Sequence, residues 1–291
     1  MFRGVFTALV TPFDEEGQVD DQALHDLIED QILAGISGLV PMGTTGESPT
    51  LSHEEHSRII ERVIRHADGR IPIIAGTGSN STAEALMLTR RAKEMGATAC
   101  LQVTPYYNKP NQEGIYRHFM TVADQVDIPL VIYNIPGRSA KNIETETLMR
   151  LAAHPNVVGV KEASGDITQM MEVLAQRPSN FSVLSGDDNL LLPLLALGGD
   201  GVISVASHLI PLELESMVKA VFAGDVTSAR EIHFKYMNLF KVLFVDTNPI
   251  PIKTALAMQG RLKEVFRLPL CSTGDAQKAK IKGILQGLGL L

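Results

Sequence analysis

Cysteine is nearly absent from this chain. There are two in 291 residues, Cys100 and Cys271, with no CxxC and no metal-ligand spacing. That excludes a disulfide framework and fits a reducing compartment. Dense lysine and arginine clusters are missing as well. The formal net charge is −7 and the pI is near 5.6, so the basic face of a nucleic-acid protein has no source. Long apolar runs are also lacking. The N-terminal "MFRGVFTALVTPFDEE" is interrupted by Pro12 and then by acids, too early for a signal-sequence core. The stretch Leu190–Gly199 falls well short of the roughly 20 apolar residues that span a bilayer. Neither GxxxxGK[ST] nor GxGxxG occurs, which removes two nucleotide-phosphate cradles. The expectation is a soluble, cytoplasmic protein with no membrane and no nucleic-acid partner.

What is present is enough apolar residue to build a large core: 45% hydrophobic against 20% charged. Short apolar runs recur along the chain. They are "VFTALVTP" (5–12), "SGLVPMG" (37–43), "IPIIAGTG" (71–78), "TACLQVTP" (98–105), "IPLVIYNIP" (128–136), "VVGVKEAS" (157–164), "FSVLSGDD" (181–188) and "DGVISVAS" (200–207). Each is followed by a polar or glycine-rich turn and a helical pattern, at a spacing of roughly 20 to 35 residues, the size of a βα unit. "DQALHDLIEDQILAG" closes on Gly35, and "STAEALMLTRRAKEMGA" opens on a Ser/Thr cap and ends near Gly96, as helices do. Continuous apolar strands alternating with amphipathic helices imply a parallel sheet covered on both faces. Eight such units without a linker point to an α/β fold, a closed (β/α)8 TIM barrel, ahead of an open doubly wound sheet. Beyond residue 210 the strands stop. The barrel is expected over 1–224, with a C-terminal helical extension over 225–291 packed on it.

Active sites of such barrels lie at the C-terminal strand ends. Those ends read "GTTGES", "TPYYN", "YNIPGR", "KEAS" and "SGDD". Lys161 finishes an apolar strand, where desolvation disfavours the ammonium and exposes the amine lone pair. A neutral amine forms a Schiff base with a ketone or aldehyde, and the protonated imine is an electron sink that needs no metal and no cofactor. The alternative is an ion pair with Glu162 or a side chain reaching for the rim. Imine chemistry needs a proton shuttle, which Tyr133, Thr44 and Tyr107 could form as a hydrogen-bonded relay; alone, each tyrosine reads as a rim aromatic. The "GTTGES" loop offers backbone N–H groups to an anion. Asp187 and Asp188 would repel a phosphate after the seventh strand, so a carboxylate fits better; both acids could also be helix caps. Arg138 suits a second carboxylate, held bidentately. "HEEH" (53–56) matches neither HExxH nor HxxEH, so no metal is expected; it reads as a solvated or interface face of a helix.

With these motifs in their order, from "GVFTALVTPF" through "GTTGES", "AGTGSNST", "VTPYYNKP", "YNIPGR", "GVKEASGD", "LSGDD" and "GVISV" to "NPIPIK", the chain resembles the dihydrodipicolinate synthase family. That family belongs to the pyruvate-dependent Schiff-base aldolases, with N-acetylneuraminate lyase. The resemblance spans essentially the whole chain. It implies condensation of pyruvate with L-aspartate 4-semialdehyde, on the diaminopimelate route to lysine. Sister aldolases would keep Lys161 and Tyr133 but not Arg138 with this Thr44–Thr45 loop; a binding protein on the same barrel would have lost the lysine or the relay. It implies Lys161 as imine-forming lysine, Tyr133 as acid/base beside it, and Thr44 and Tyr107 as the rest of the relay, with Tyr107 reaching into a partner subunit's site. It implies Thr45 and its loop on the pyruvate carboxylate, Arg138 on the semialdehyde carboxylate, and backbone carbonyls from Gly186 and Ile203. A homodimer or dimer of dimers follows from the same pattern. So does an L-lysine inhibitor site made of Ser48, Pro49, His53, His56, Asn80, Glu84 and Tyr106. Gly137, Ser139 and Ala140 depart from common family forms but flank Arg138 without replacing it.

Overall fold

A computed structural model describes residues 2–291 of the chain. Its strands are β1 (Gly4–Ala8), β2 (Gly38–Val40), β3 (Ile74–Gly76), β4 (Ala99–Val103), β5 (Leu130–Asn134), β6 (Val157–Glu162), β7 (Ser182–Ser185) and β8 (Gly201–Ser204). They form one sheet in the order β2-β1-β8-β7-β6-β5-β4-β3, and the paired neighbours are parallel. The two ends of that row meet at a narrow seam, where Leu39 bridges Ile73 in parallel. Across it Leu39 N donates to Pro72 O (3.1 Å) and Gly76 N to Pro41 O (2.9 Å). The result is the (β/α)8 barrel expected from the eight apolar runs.

The strands are shorter than those runs. Of residues 5–12 only the part up to Ala8 is strand, because Pro12 has no N–H to give a ladder and the chain is already turning into the site. Val10 N donates to His208 Nε2 instead (3.2 Å). The helices start where side chains satisfy their first N–H groups. Asp20 accepts from Ala23 N, Ser81 from Glu84 N and Asn111 from Gly114 N. Ser52 and Glu55 form a complete capping box. Gly35 ends the first helix at φ +74°, a left-handed conformation that a side chain would strain.

Two apolar layers result. Phe6, Val40, Ile74, Leu101, Val131, Tyr133, Leu184 and Ile203 fill the barrel. A larger cluster, including Val5, Leu39, Val160, Val183 and Val202, packs strands against helices. Each fully buried aliphatic side chain contributes about 1.5–3 kcal/mol, so neighbouring residues of one strand commit to opposite faces. After β8, helix Pro211–Phe222 completes the eighth unit, and helices Val226–Val242, Ile250–Met258 and Asp275–Gly287 follow. Leu239, Leu256 and Leu285 from these join the outer core. We propose residues 1–224 as the barrel and 225–291 as its extension. Among the described residues no helix is long and apolar enough to cross a membrane.

Candidate active site

The alternation of β6 decides the fate of Lys161. Val160 packs outward among the helices, so Lys161 turns into the barrel, in register with Tyr133 of β5 and Leu184 of β7. It is 7% exposed, with Nζ 4.3 Å from the Tyr133 ring centroid. Among the described residues no carboxylate comes within salt-bridge distance of it. Burial lowers its pKa to about 8; Asp187 and Asp188 pull the other way, and Arg138 adds to the depression. Glu162, on the opposite face, accepts from Asn134 Nδ2 (3.1 Å) and Ser164 N (2.7 Å). Its carboxyl is pushed up by burial. The alternative of a Lys161–Glu162 pair is thereby removed.

Tyr133 is the nearest proton carrier. Burial pushes its phenol above the ordinary value, Arg138 draws it down, Asp187 raises it, and the Thr44 hydroxyl beside it favours the phenolate. Gly186, just past β7, has to be small. A Cβ there would meet the Ala163 Cβ at 2.6 Å and Lys161 Cε at 3.1 Å, so any side chain would displace the lysine. Ile203 lies in β8 in register with Phe6, in the inner layer.

Asp187 occupies the N-cap position of the short turn Asp188–Leu190, as one reading of the sequence expected, but its side chain makes no capping hydrogen bond. Asp188 reaches across to the end of β8, accepting from Ser204 Oγ at 2.5 Å, Val205 N at 3.2 Å and Ala206 N at 3.0 Å. Burial raises the pKa of both acids, and Lys161 lowers both. They stand as counter-charges to the lysine.

Arg138 lies on a single helical turn, Pro136–Ser139, and its Nη2 donates to Asn248 O (3.0 Å). Thr45 is 4% exposed and accepts from Asn248 Nδ2 (2.9 Å). Beneath the same loop, Lys253 Nζ donates to Glu47 Oε1 (2.5 Å), both side chains fully buried. Reading of the sequence missed Asn248, Glu47 and Lys253. The signal for the last was visible: a lysine inside the apolar "PIPIKTALA".

A cavity of about 220 Å³ opens at this mouth. Thr44, Tyr133 and Arg138 line one part, and Ser48, Pro49 and Tyr106 another. Behind Tyr106, Asn80 Nδ2 donates to Tyr106 O (3.1 Å). Glu84 accepts from His53 Nε2 (2.5 Å) and from Ser79 Oγ, and both contacts hold its carboxyl below the usual range. The "HEEH" stretch, expected as a solvated or interface face, is solvated only in part. His53 is exposed, but His56 is 6% exposed, and burial lowers its pKa to about 4. Tyr107 stands apart from the rest of the relay. It is 90% exposed, in a left-handed conformation (φ +71°).

The family model for the dihydrodipicolinate synthetase family matches residues 1–288. The chain is 50% identical over 291 residues to the 4-hydroxy-tetrahydrodipicolinate synthase of Thermodesulfovibrio yellowstonii, covering 100% of both chains. Its fold is similar to the chloride-inhibited dihydrodipicolinate synthase of Acinetobacter baumannii complexed with pyruvate, at 42% identity and TM-score 0.98, covering 100% of each chain. It is also similar to the dihydrodipicolinate synthase of Cyanidioschyzon merolae with lysine bound, at 42% identity and TM-score 0.97, covering 100% of this chain and 99% of that one. Matches of this length and closeness leave no segment of barrel or extension unaccounted for, and the chain belongs to the dihydrodipicolinate synthetase family.

Proposed function

We propose that the chain is a lyase that condenses pyruvate with L-aspartate 4-semialdehyde to 4-hydroxy-tetrahydrodipicolinate, in lysine biosynthesis by way of diaminopimelate. One observation carries the reading: Lys161 is buried, paired with no carboxylate among the described residues and depressed to about 8, and it lies against Tyr133, which lines the cavity together with Arg138. The chemistry follows from these groups. The neutral Lys161 amine adds to the pyruvate ketone, giving a carbinolamine. Tyr133 protonates the hydroxyl, which leaves as water, and the imine forms. Loss of a methyl proton gives the enamine, whose carbon attacks the aldehyde. The substrate's own amine then attacks the imine carbon, closes the ring and releases Lys161.

Thr45 and its loop hold the pyruvate carboxylate, and Arg138 holds the semialdehyde carboxylate. Backbone carbonyls of Gly186 and Ile203 face the substrates. Thr44 relays protons from Tyr133 to Tyr107 of a second copy, so the enzyme works as a homodimer or dimer of dimers; the 90% exposure of Tyr107 supports this, since its own chain covers little of it. The two cysteines are unpaired, in keeping with a cytoplasmic setting. L-Lysine binds where Glu84, His53, His56, Asn80, Ser48, Pro49 and Tyr106 gather.

Borohydride added with pyruvate should leave a reduced adduct on Lys161 by mass spectrometry. The enzyme should form product with aspartate semialdehyde and none with N-acetylmannosamine, and light scattering should give the mass of a dimer or larger. No adduct, or one on another lysine, would sink the mechanism.

A further inference from the structure

Thr45 and Arg138, the two side chains assigned to carboxylates, come from different strand ends, after β2 and β5. Both are tied to one residue outside the barrel strands. Asn248 lies in the turn between helices Val226–Val242 and Ile250–Met258. Its Nδ2 donates to Thr45 Oγ1 at 2.9 Å, and its carbonyl accepts from Arg138 Nη2 at 3.0 Å. Asn248 is 6% exposed and Thr45 4%, so water competes weakly for the bond between them, whereas Arg138 is exposed. The turn is itself anchored. Ile250 N donates to Thr247 O (2.8 Å), and one helical turn later Lys253 reaches Glu47, two residues beyond Thr45.

The direction of the first bond matters. A threonine hydroxyl has one proton to give and two lone pairs. With a lone pair occupied by the Asn248 N–H, the Thr45 proton stays available for an acceptor, and a carboxylate is an acceptor only. An acceptor in the place of Nδ2 would draw that proton away from the substrate. The other amide atom, Asn248 Oδ1, is buried without a partner, a state that costs stability. A side chain kept only for the fold has little reason to be amide rather than apolar there.

We propose that Asn248 is a positioning residue of the active site. It sets the separation of the two carboxylate-binding groups and the hydrogen-bond polarity of Thr45. The inference rests on the function proposed above, with its assignment of Thr45 to pyruvate.

Asn248→Ala and Asn248→Asp test it through kcat, both KM values and the thermal midpoint. Asn248→Asp keeps the shape, but its carboxylate can only accept and repels the substrate carboxylate. Its KM for pyruvate should rise roughly tenfold or more, the scale of a lost charge-assisted hydrogen bond. Asn248→Ala should raise that KM by a smaller factor, while borohydride still traps the adduct at saturating pyruvate. In a Thr45→Val background, Asn248→Ala should add nothing further to the pyruvate KM. The inference is overturned if either variant folds with a wild-type KM for pyruvate, or if Asn248→Ala adds its full effect in the Thr45→Val background. A lower thermal midpoint with both KM values unchanged would mark Asn248 as purely structural. Wild-type enzyme that traps no pyruvate would instead overturn the functional reading itself.

Discussion

Two lysines of this chain are buried, and their neighbours give them opposite work. Burial lowers the pKa of both. Lys253 has Glu47 at 2.5 Å and the Phe13 and Phe266 rings at 4.4 and 4.9 Å, contacts that hold an ammonium in place. Lys161 has an aromatic face and two carboxylates that raise its pKa without pairing with it, so its amine can shed the proton. In the sequence the two look alike, each a lysine within apolar residues. They differ in position, since Lys161 lies near the end of strand Val157–Glu162 and Lys253 inside helix Ile250–Met258. The partner that silences Lys253 lies 206 residues away, and no local pattern reports it. The difference has a pH signature. With a pKa of about 8, the neutral fraction of Lys161 rises as pH rises through that value. The rate of imine formation should therefore climb about tenfold per pH unit well below 8 and level off above it. Asp187 favours the ammonium, so Asp187→Asn should move the inflection to lower pH. Single-turnover imine formation measured across pH checks this, and an inflection that stays put or moves up would deny Asp187 its part.

At the scale of elements, the eight strands were legible because burial on both faces makes a parallel strand nearly all apolar. Their ends were not, since Pro12 and the turns into the site belong to the same apolar runs. The turn Pro136–Ser139 that carries Arg138 is too short to show any helical period. The burial of His56 escaped for a different reason: two histidines three apart share a helix face, but His56 is covered by its neighbours while His53, bonded to Glu84, stays about half exposed. The link that matters most joins helix Ile250–Met258 to the loop after β2, through the fully buried Lys253–Glu47 pair. Glu47 sits at φ +54°, a conformation costly for a non-glycine residue and held here by its contacts. Removing one member of a buried pair leaves an uncompensated charge, at a cost of about 3–5 kcal/mol. Lys253→Met should lose stability on that scale in denaturant unfolding. Adding Glu47→Gln should recover much of it, because the orphaned charge goes too. A Lys253→Met variant within about 1 kcal/mol of wild type would show that the pair contributes only geometry.

Across the whole molecule, one cavity runs from the chemistry to the region assigned to lysine. Thr44 and Tyr133 line it at one part, and Ser48, Pro49 and Tyr106 at another. Tyr106 is followed directly by Tyr107, the exposed member of the relay. A ligand that orders Tyr106 can thus act on proton transfer through one peptide unit and through the shared space, giving two distinct sites with a physical connection. The ligand chemistry follows from the charges. Glu84 is held ionised by Ser79 and His53 and suits an ammonium, while Asn80 can both donate and accept. His56, buried with its pKa near 4, is neutral at physiological pH and brings no competing positive charge. L-Lysine should therefore bind to wild-type enzyme in calorimetry and reduce initial rates in a titration. The Glu84 side chain is 32% exposed, so its loss should cost less than that of a fully buried charge. Glu84→Ala should weaken lysine binding by about 1–2 kcal/mol, roughly five- to thirtyfold, with pyruvate adduct formation unchanged. Unaltered lysine affinity in that variant, or no binding to wild type at millimolar lysine, would place the inhibitor elsewhere or remove it.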